Sequence, residues 1–85
     1  MPAELSDREK LVLRIIGDAC DKRGQDRVTL EDISEGLRRS GLTPTDAMDV
    51  IYKLEDKGLV RTEMLGYTTV IYITDTGREV YRGLK

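Results

Sequence analysis

The stretch T-P-T-D-A-M-D-V-I-Y-K-L-E-D-K-G, from Thr43 to Gly58, contains the signals for both ends of a helix. Thr43 can accept hydrogen bonds from the first-turn N–H groups, and Pro44 has the fixed φ that suits the first helical position. Asp46, three residues after the threonine, can complete a capping box. Gly58 stands where a left-handed residue commonly follows a helix. These signals predict a helix over Pro44–Lys57. Its buried stripe, at the three-and-four spacing, is Ala47, Val50, Ile51 and Leu54.

The segments on both sides of this helix predict a regular succession of elements. Thr29 caps a second helix that ends at Arg39, and Ser40–Leu42 is a three-residue corner, so the two helices form a helix-turn-helix. The remaining predicted elements are a first helix over Asp7–Lys22, a short strand at Val28–Thr29, strands over Leu59–Glu63 and Thr69–Ile73 with a tip over Met64–Thr68, and a last helix over Thr76–Leu84.

This order resembles the winged helix-turn-helix superfamily, and most closely the small prokaryotic regulators of the multiple-antibiotic-resistance-regulator (MarR) type. The motifs that carry the resemblance are L-E-D-K-G-L-V at 54–60 and Y-I-T-D-T-G at 72–77, and the similarity covers nearly the whole chain. It implies an α+β fold with a three-helix core, a short β-hairpin wing and a C-terminal helix.

Composition bounds the class of protein. Eighty-five residues predict one domain, spanning 1–85, whose core has no room for a large buried cleft. No apolar run approaches the roughly 18 residues of a membrane span, so no membrane partner is expected. The N-terminal M-P-A-E lacks the features of a signal peptide, and we expect a cytoplasmic protein.

Residues typical of catalysis are scarce, and no enzyme activity or cofactor is expected. The chain has no histidine and one cysteine, which leaves out the commonest general base and the usual clusters of metal ligands. Two carboxylate pairs occur on the central helix, and we expect both to stay ionised and hydrated. They are Asp46 with Asp49 and Glu55 with Asp56.

The resemblance implies that double-stranded DNA is the partner of a sequence-specific transcriptional regulator, with the Pro44–Lys57 helix in the major groove and the 59–74 hairpin as the wing. The residues expected to face bases are Thr43, Thr45, Asp49, Tyr52 and Lys53. Those expected to contact phosphates are Arg38, Arg39, Lys57 and Arg61. The net charge of −2 and the acidic Asp49 depart from the basic surface usual in such domains.

A homodimer is expected from the wide apolar arc of the first helix. Part of the arc is assigned to the core, namely Leu11, Val12, Ile15, Ile16 and Ala19. The subunit interface is assigned to Leu13, Cys20, Tyr81 and Leu84. Alternatively, the first helix is buried on two sides within its own domain, with Cys20 as a small helix residue rather than half of an intersubunit disulfide.

A second hypothesis is a winged-helix module that binds another protein. The acidic Pro44–Lys57 helix and the apolar Leu65 and Tyr67 at the wing tip would form its contact surface. This hypothesis accounts for the charge of the helix more directly than DNA binding does.

Overall fold

The computed structural model describes residues 4–84 of the 85-residue chain. Within that range the elements follow one another in the predicted order. They are α1 (Asp7–Arg23), β1 (Arg27–Thr29), α2 (Leu30–Arg39), α3 (Pro44–Asp56), β2 (Val60–Leu65), β3 (Thr68–Ile73) and α4 (Asp75–Leu84). The α+β architecture predicted from the sequence is confirmed.

Capping boxes start the first two helices, as their sequences indicate. At α1, the hydroxyl of Ser6 accepts from the backbone N–H of Glu9 at 3.2 Å, and Ser6 N–H donates to the Glu9 carboxylate at 2.8 Å. At α2, Thr29 and Asp32 make the same two bonds at 3.1 and 2.9 Å. Each box satisfies donors that no helical carbonyl reaches.

Helix α3 has half of the capping arrangement that its sequence predicts. Thr43 accepts from the N–H of Asp46 at 3.1 Å, and Pro44 occupies the first turn. The return hydrogen bond, in which the Thr43 N–H would donate to the Asp46 carboxylate, is not among the hydrogen bonds of residues 4–84. After the helix, Gly58 has a φ of 76°, the left-handed conformation expected there.

The three strands form one antiparallel sheet in the order β1-β3-β2. The hairpin is longer and its turn tighter than the sequence suggested, since Met64 pairs with Thr69 and Leu65 pairs with Thr68. The tip predicted over Met64–Thr68 is therefore only Gly66-Tyr67. Gly66 has a φ of 63°, which lets a two-residue turn close the hairpin.

Helix α1 is central to the core, because it packs against α2, α3 and α4. Three residues assigned to a subunit interface are consequently buried within the single chain: Leu13 and Cys20 are 0% exposed and Tyr81 is 1% exposed. That assignment is wrong for these three, and the alternative of a first helix buried within its own domain is confirmed. Leu84 keeps part of its surface.

Among the helices of residues 4–84, none is long and apolar enough to cross a membrane.

Candidate functional site

The outer face of α3 is open to solvent. Its inner stripe is buried, as predicted, so the intervening positions project outward. All five residues predicted to face bases are exposed, namely Thr43, Thr45, Asp49, Tyr52 and Lys53. The structure therefore brings these residues together on one uncovered surface.

The charge of this surface is acidic. Within Pro44–Asp56, Lys53 is the single cation, while Asp46, Asp49 and Asp56 are carboxylates with some or all of their surface exposed. Such a helix repels a phosphate backbone unless its carboxylates are directed elsewhere, for example at base amino groups.

Glu55 differs from the other carboxylates of α3. It accepts from the backbone N–H of Thr62 at 3.0 Å and from the Thr62 hydroxyl at 3.1 Å. The expectation that it is hydrated like a surface carboxylate is wrong, because β2 passes close enough to donate to it. These hydrogen bonds join α3 to the base of the hairpin.

The corner between α2 and α3 presents Arg38 and Arg39. Both side chains are about three-quarters exposed, at 76% and 77%. Glu35 lies 3.0 Å from the Arg38 guanidinium and 3.5 Å from that of Arg39. Exposed ion pairs of this kind contribute about 0–1 kcal/mol, so an incoming phosphate can replace the carboxylate at little cost.

The ammonium group of Lys57 is already hydrogen-bonded within the chain and is not free to contact a phosphate. Its Nζ donates to both carboxylate oxygens of Glu9, at 2.9 and 2.8 Å, and to the backbone carbonyl of Glu4 at 2.9 Å. Its assignment as a phosphate contact is corrected, because a carboxylate whose side chain is 6% exposed already holds the ammonium group. Lys57 instead joins the end of α3 to the start of α1.

Glu9 has a second role besides its place in the α1 capping box. Burial alone would raise the pKa of its carboxyl, but hydrogen bonds from Lys57 and Ser6 outweigh burial and hold the pKa below its ordinary value. The sequence did contain a signal for its burial. Glu9 lies three, four and seven residues before Val12, Leu13 and Ile16, which places it on the inward side of α1.

The hairpin has two distinct parts. At its base, the Arg61 guanidinium lies 5.6 Å from the centroid of the Tyr72 ring, a cation–π contact. At its tip, large apolar side chains are exposed: Met64 by 69%, Leu65 by 52% and Tyr67 fully. A hydrogen bond from the Thr68 hydroxyl to Glu31 ties the hairpin to the start of α2.

Cys20 is not a reactive surface thiol. It is fully buried, and burial raises the pKa of its thiol to about 11. Residues 4–84 contain no cluster of three or more histidine, cysteine, aspartate or glutamate side chains able to hold a metal ion.

The chain matches no protein-family model and no curated protein. It is similar to several solved structures. BpsR of Bordetella bronchiseptica, whose DNA binding is regulated by 6-hydroxynicotinic acid, aligns at 17% identity with a TM-score of 0.70 over 96% of this chain and 53% of its own. F93 from STIV, a winged-helix DNA-binding protein, aligns at 23% identity with a TM-score of 0.65 over 84% and 79% of the two chains.

A third similar structure is Sso10a-2, a DNA-binding protein from Sulfolobus solfataricus. It aligns at 14% identity with a TM-score of 0.68 over 94% of this chain and 75% of its own. This chain spans about half the length of BpsR. At such identities the likeness establishes the architecture alone: the chain has the winged helix-turn-helix fold, with α2 and α3 as the helix-turn-helix and β2 and β3 as the wing.

Proposed function

We propose that this protein is a DNA-binding transcriptional regulator that inserts α3 into the major groove of duplex DNA. The observation that carries the proposal is the uncovered outer face of a helix fixed at both ends, by the Thr43 cap and by Lys57. A rigid, exposed helix beside two arginines has the form that major-groove reading requires. The DNA binding of BpsR, F93 and Sso10a-2 supports it.

The base-facing residues divide by chemistry. Thr43, Thr45 and Tyr52 offer hydroxyl groups that can donate or accept, and Lys53 can donate to guanine. As a carboxylate, Asp49 has acceptors and no donor, so its natural partner at a base edge is the amino group of cytosine. The site that we propose therefore favours a cytosine opposite Asp49 and rejects sequences that place an acceptor there.

Arg38 and Arg39 provide the phosphate contacts next to α3 in this proposal. The active form is a homodimer that sets two α3 helices about one DNA turn, roughly 34 Å, apart. Of the four residues first assigned to its interface, Leu84 keeps accessible surface.

Fluorescence anisotropy with a labelled random-sequence duplex tests the function directly. Non-specific binding is expected at roughly 10⁻⁴ to 10⁻⁶ M at physiological salt and should tighten steeply at lower salt. Lys53→Ala should weaken binding, whereas Arg14→Ala, which removes an exposed cation from α1, should not. No binding at low salt would overturn the proposal.

Specific recognition requires a second measurement. Selection of tight binders from a random duplex library should yield a recurring site, and Asp49→Ala should relax the preference at one position of that site. If the selection yields no recurring site, sequence-specific recognition is contradicted, and the proposed function is limited to non-specific DNA binding.

The wing tip favours a second candidate function, a module that binds another protein. Met64, Leu65 and Tyr67 are exposed together, and exposed apolar clusters of this kind commonly mark interaction surfaces. Asp49→Arg or Leu65→Ser should then abolish capture of a partner by the immobilised chain. A partner retained by both variants would contradict this candidate.

A further inference from the structure

We infer that the outer face of the sheet is a second surface that binds the phosphodiester backbone of a nucleic acid, centred on Arg27, Tyr72 and Arg61. The inference rests on the proposed function in taking nucleic acid as the partner. It adds a contact surface outside α3 and assigns a role to Arg27, the first residue of β1.

The strand register places these three residues in one row. Arg27 pairs with Tyr72 across β1 and β3, and Arg61 pairs with Tyr72 across β2 and β3. Residues directly opposite in antiparallel strands project from the same face of the sheet. Because the backbones of neighbouring strands lie about 4.8 Å apart, the Cα atoms of the two arginines lie on either side of the tyrosine, roughly 10 Å from each other.

This row faces away from α3. The next pair along the strands, Thr62 with Ile71, projects to the opposite face, where Ile71 is fully buried and Thr62 donates to Glu55 of α3. Alternation therefore sends Arg61 to the side of the sheet that α3 does not touch. Arg61 belongs to a surface separate from the outer face of α3.

Both arginines are exposed and available for a new anionic partner. Among residues 4–84, no carboxylate lies within 4.0 Å of either guanidinium, in contrast to Arg38 and Arg39, which share Glu35. The Tyr72 ring supports the Arg61 guanidinium at 5.6 Å, and the Tyr72 hydroxyl donates to Glu63 at 3.2 Å. The hydrogen bond and the cation–π contact restrict the side chains before any ligand arrives.

A surface recess of about 370 Å³ adjoins the row. Its lining combines two cations and one carboxylate with apolar surface, and includes Arg23, Arg27, Asp32, Leu65, Val70 and Tyr72. Arg23 is already paired with Asp32 at 2.6 Å, so Arg27 is the cation of the recess that is free to meet a phosphate.

The chemistry of the row fits a nucleic acid. Planar guanidinium groups bind phosphate through paired donors and also stack on rings, and tyrosine offers a ring face to a sugar or base. Glu63, two residues after Arg61 on the same face of β2, accepts from the hydroxyl of Tyr72 in the middle of the row. Its carboxylate repels phosphate on that side, so the backbone is expected to follow the arginines.

Salt-dependent binding tests the inference with two probes, a labelled random duplex and a labelled single strand of the same composition. For each phosphate that a variant no longer neutralises, the slope of log K against log salt should decrease in magnitude by about 0.9 for a duplex and about 0.7 for a single strand. Arg27→Ala and Arg61→Ala should each show this change with whichever probe binds there. Arg27→Lys should restore the slope, and Arg14→Ala on α1 serves as the matched control.

The outcomes separate this surface from the function of α3. If Arg27→Ala and Arg61→Ala show the same salt slope as the wild type while Lys53→Ala still weakens duplex binding, the sheet surface is overturned. The proposed regulator function would then still stand. Binding that depends on Arg27 and Arg61 but is indifferent to Lys53→Ala and Thr45→Ala would support the sheet surface and count against α3. Failure of the wild-type protein to bind either probe would overturn both.

Discussion

The ammonium group of Lys57 bridges both carboxylate oxygens of Glu9, at 2.9 and 2.8 Å, across 48 residues of sequence. Lys57 is the C-cap of α3 and Glu9 lies in the first turn of α1. The pair therefore joins the end of the exposed helix to the central helix of the core.

Removing the cation of this pair should destabilise the fold. In Lys57→Ala, Glu9 keeps its charge in a nearly buried place with no ammonium partner, and we expect a loss of about 2–3 kcal/mol in the free energy of unfolding. Urea denaturation measures the loss. Lys10→Ala, which removes an exposed lysine of α1, should change stability by less than about 0.5 kcal/mol. Equal stabilities of the two variants would show that the pair contributes nothing net.

Stability should also fall in acid. The pKa of Glu9 is lowered in the folded state from its ordinary value of 4.5, and the pKa of Asp32 is lowered from 3.8, chiefly by its backbone hydrogen bond with Thr29. A depressed folded-state pKa stabilises the fold above the unfolded pKa, and this contribution is lost as the pH falls through the folded pKa. The free energy of unfolding should thus decline below about pH 4.5.

Urea denaturation at about pH 6 and about pH 3 checks this decline, with Glu9→Gln as the test of its source. The variant lacks the titrating carboxyl, so its stability should change less between the two pH values than that of the wild type. An identical decline in both proteins would assign the acid sensitivity to other carboxylates.

Two glycines of α4 should respond in opposite ways to alanine. A Cβ at Gly77 would lie 1.9 Å from the backbone carbonyl oxygen of Leu59, whereas a Cβ at Gly83 would meet nothing within 4 Å. Gly77→Ala should therefore cost about 3 kcal/mol by forcing α4 away from the β2 entrance, and Gly83→Ala should be neutral or stabilise by up to about 1 kcal/mol. Thermal denaturation of the matched pair measures both. A Gly77→Ala protein as stable as Gly83→Ala would contradict the close approach.

The sequence predicted the elements well because their ends are marked locally. The capping boxes at Ser6 and Thr29, and the left-handed glycines at 24 and 58, depend on residues a few positions apart, so a single stretch contains the whole signal. The exposure of Thr45 and Tyr52 followed for the same reason, since helical periodicity assigns the inner and outer sides.

The errors concern contacts between distant segments. Lys57 reads as a free cation at a helix end until α1 brings Glu9 to it. Leu13 and Cys20 lie outside one apolar stripe, and only the packing of α1 against three other helices shows that a second side is also buried. Arg27 entered no predicted site because the register of β1 with β3, which aligns it with Tyr72, is set by the whole sheet.

Cys20 should react slowly with thiol reagents in the native protein. The thiol is fully buried and burial raises its pKa to about 11, so both access and the thiolate fraction are low near neutral pH. Ellman's reagent should label the thiol completely in denaturant. In buffer, labelling should be no faster than the rate at which the folded protein opens to expose Cys20. Rapid native labelling would contradict the burial of this face of α1.

The corner arginines and the carboxylate that they share should have opposite effects on DNA binding. Arg38→Ala/Arg39→Ala should weaken binding to all DNA sequences alike and reduce the salt slope by about 0.9 for each phosphate that is no longer neutralised. Glu35→Gln should have the opposite effect, because the carboxylate lies within 3.5 Å of both guanidinium groups and competes with phosphate for them. Anisotropy with a random duplex compares both proteins with wild type.

Differences in folding should not contribute to the differences in DNA binding between these variants and the wild type. The Glu35 pairs are exposed and contribute about 0–1 kcal/mol, so neither variant should lose its structure. If the arginine variant binds with unchanged affinity and slope, Arg38 and Arg39 are not phosphate contacts. A different result is that the arginine variant weakens binding while Glu35→Gln leaves it unchanged. The arginines would then contact DNA through donors that the carboxylate does not occupy. Competition between Glu35 and phosphate is therefore tested separately from the contact itself.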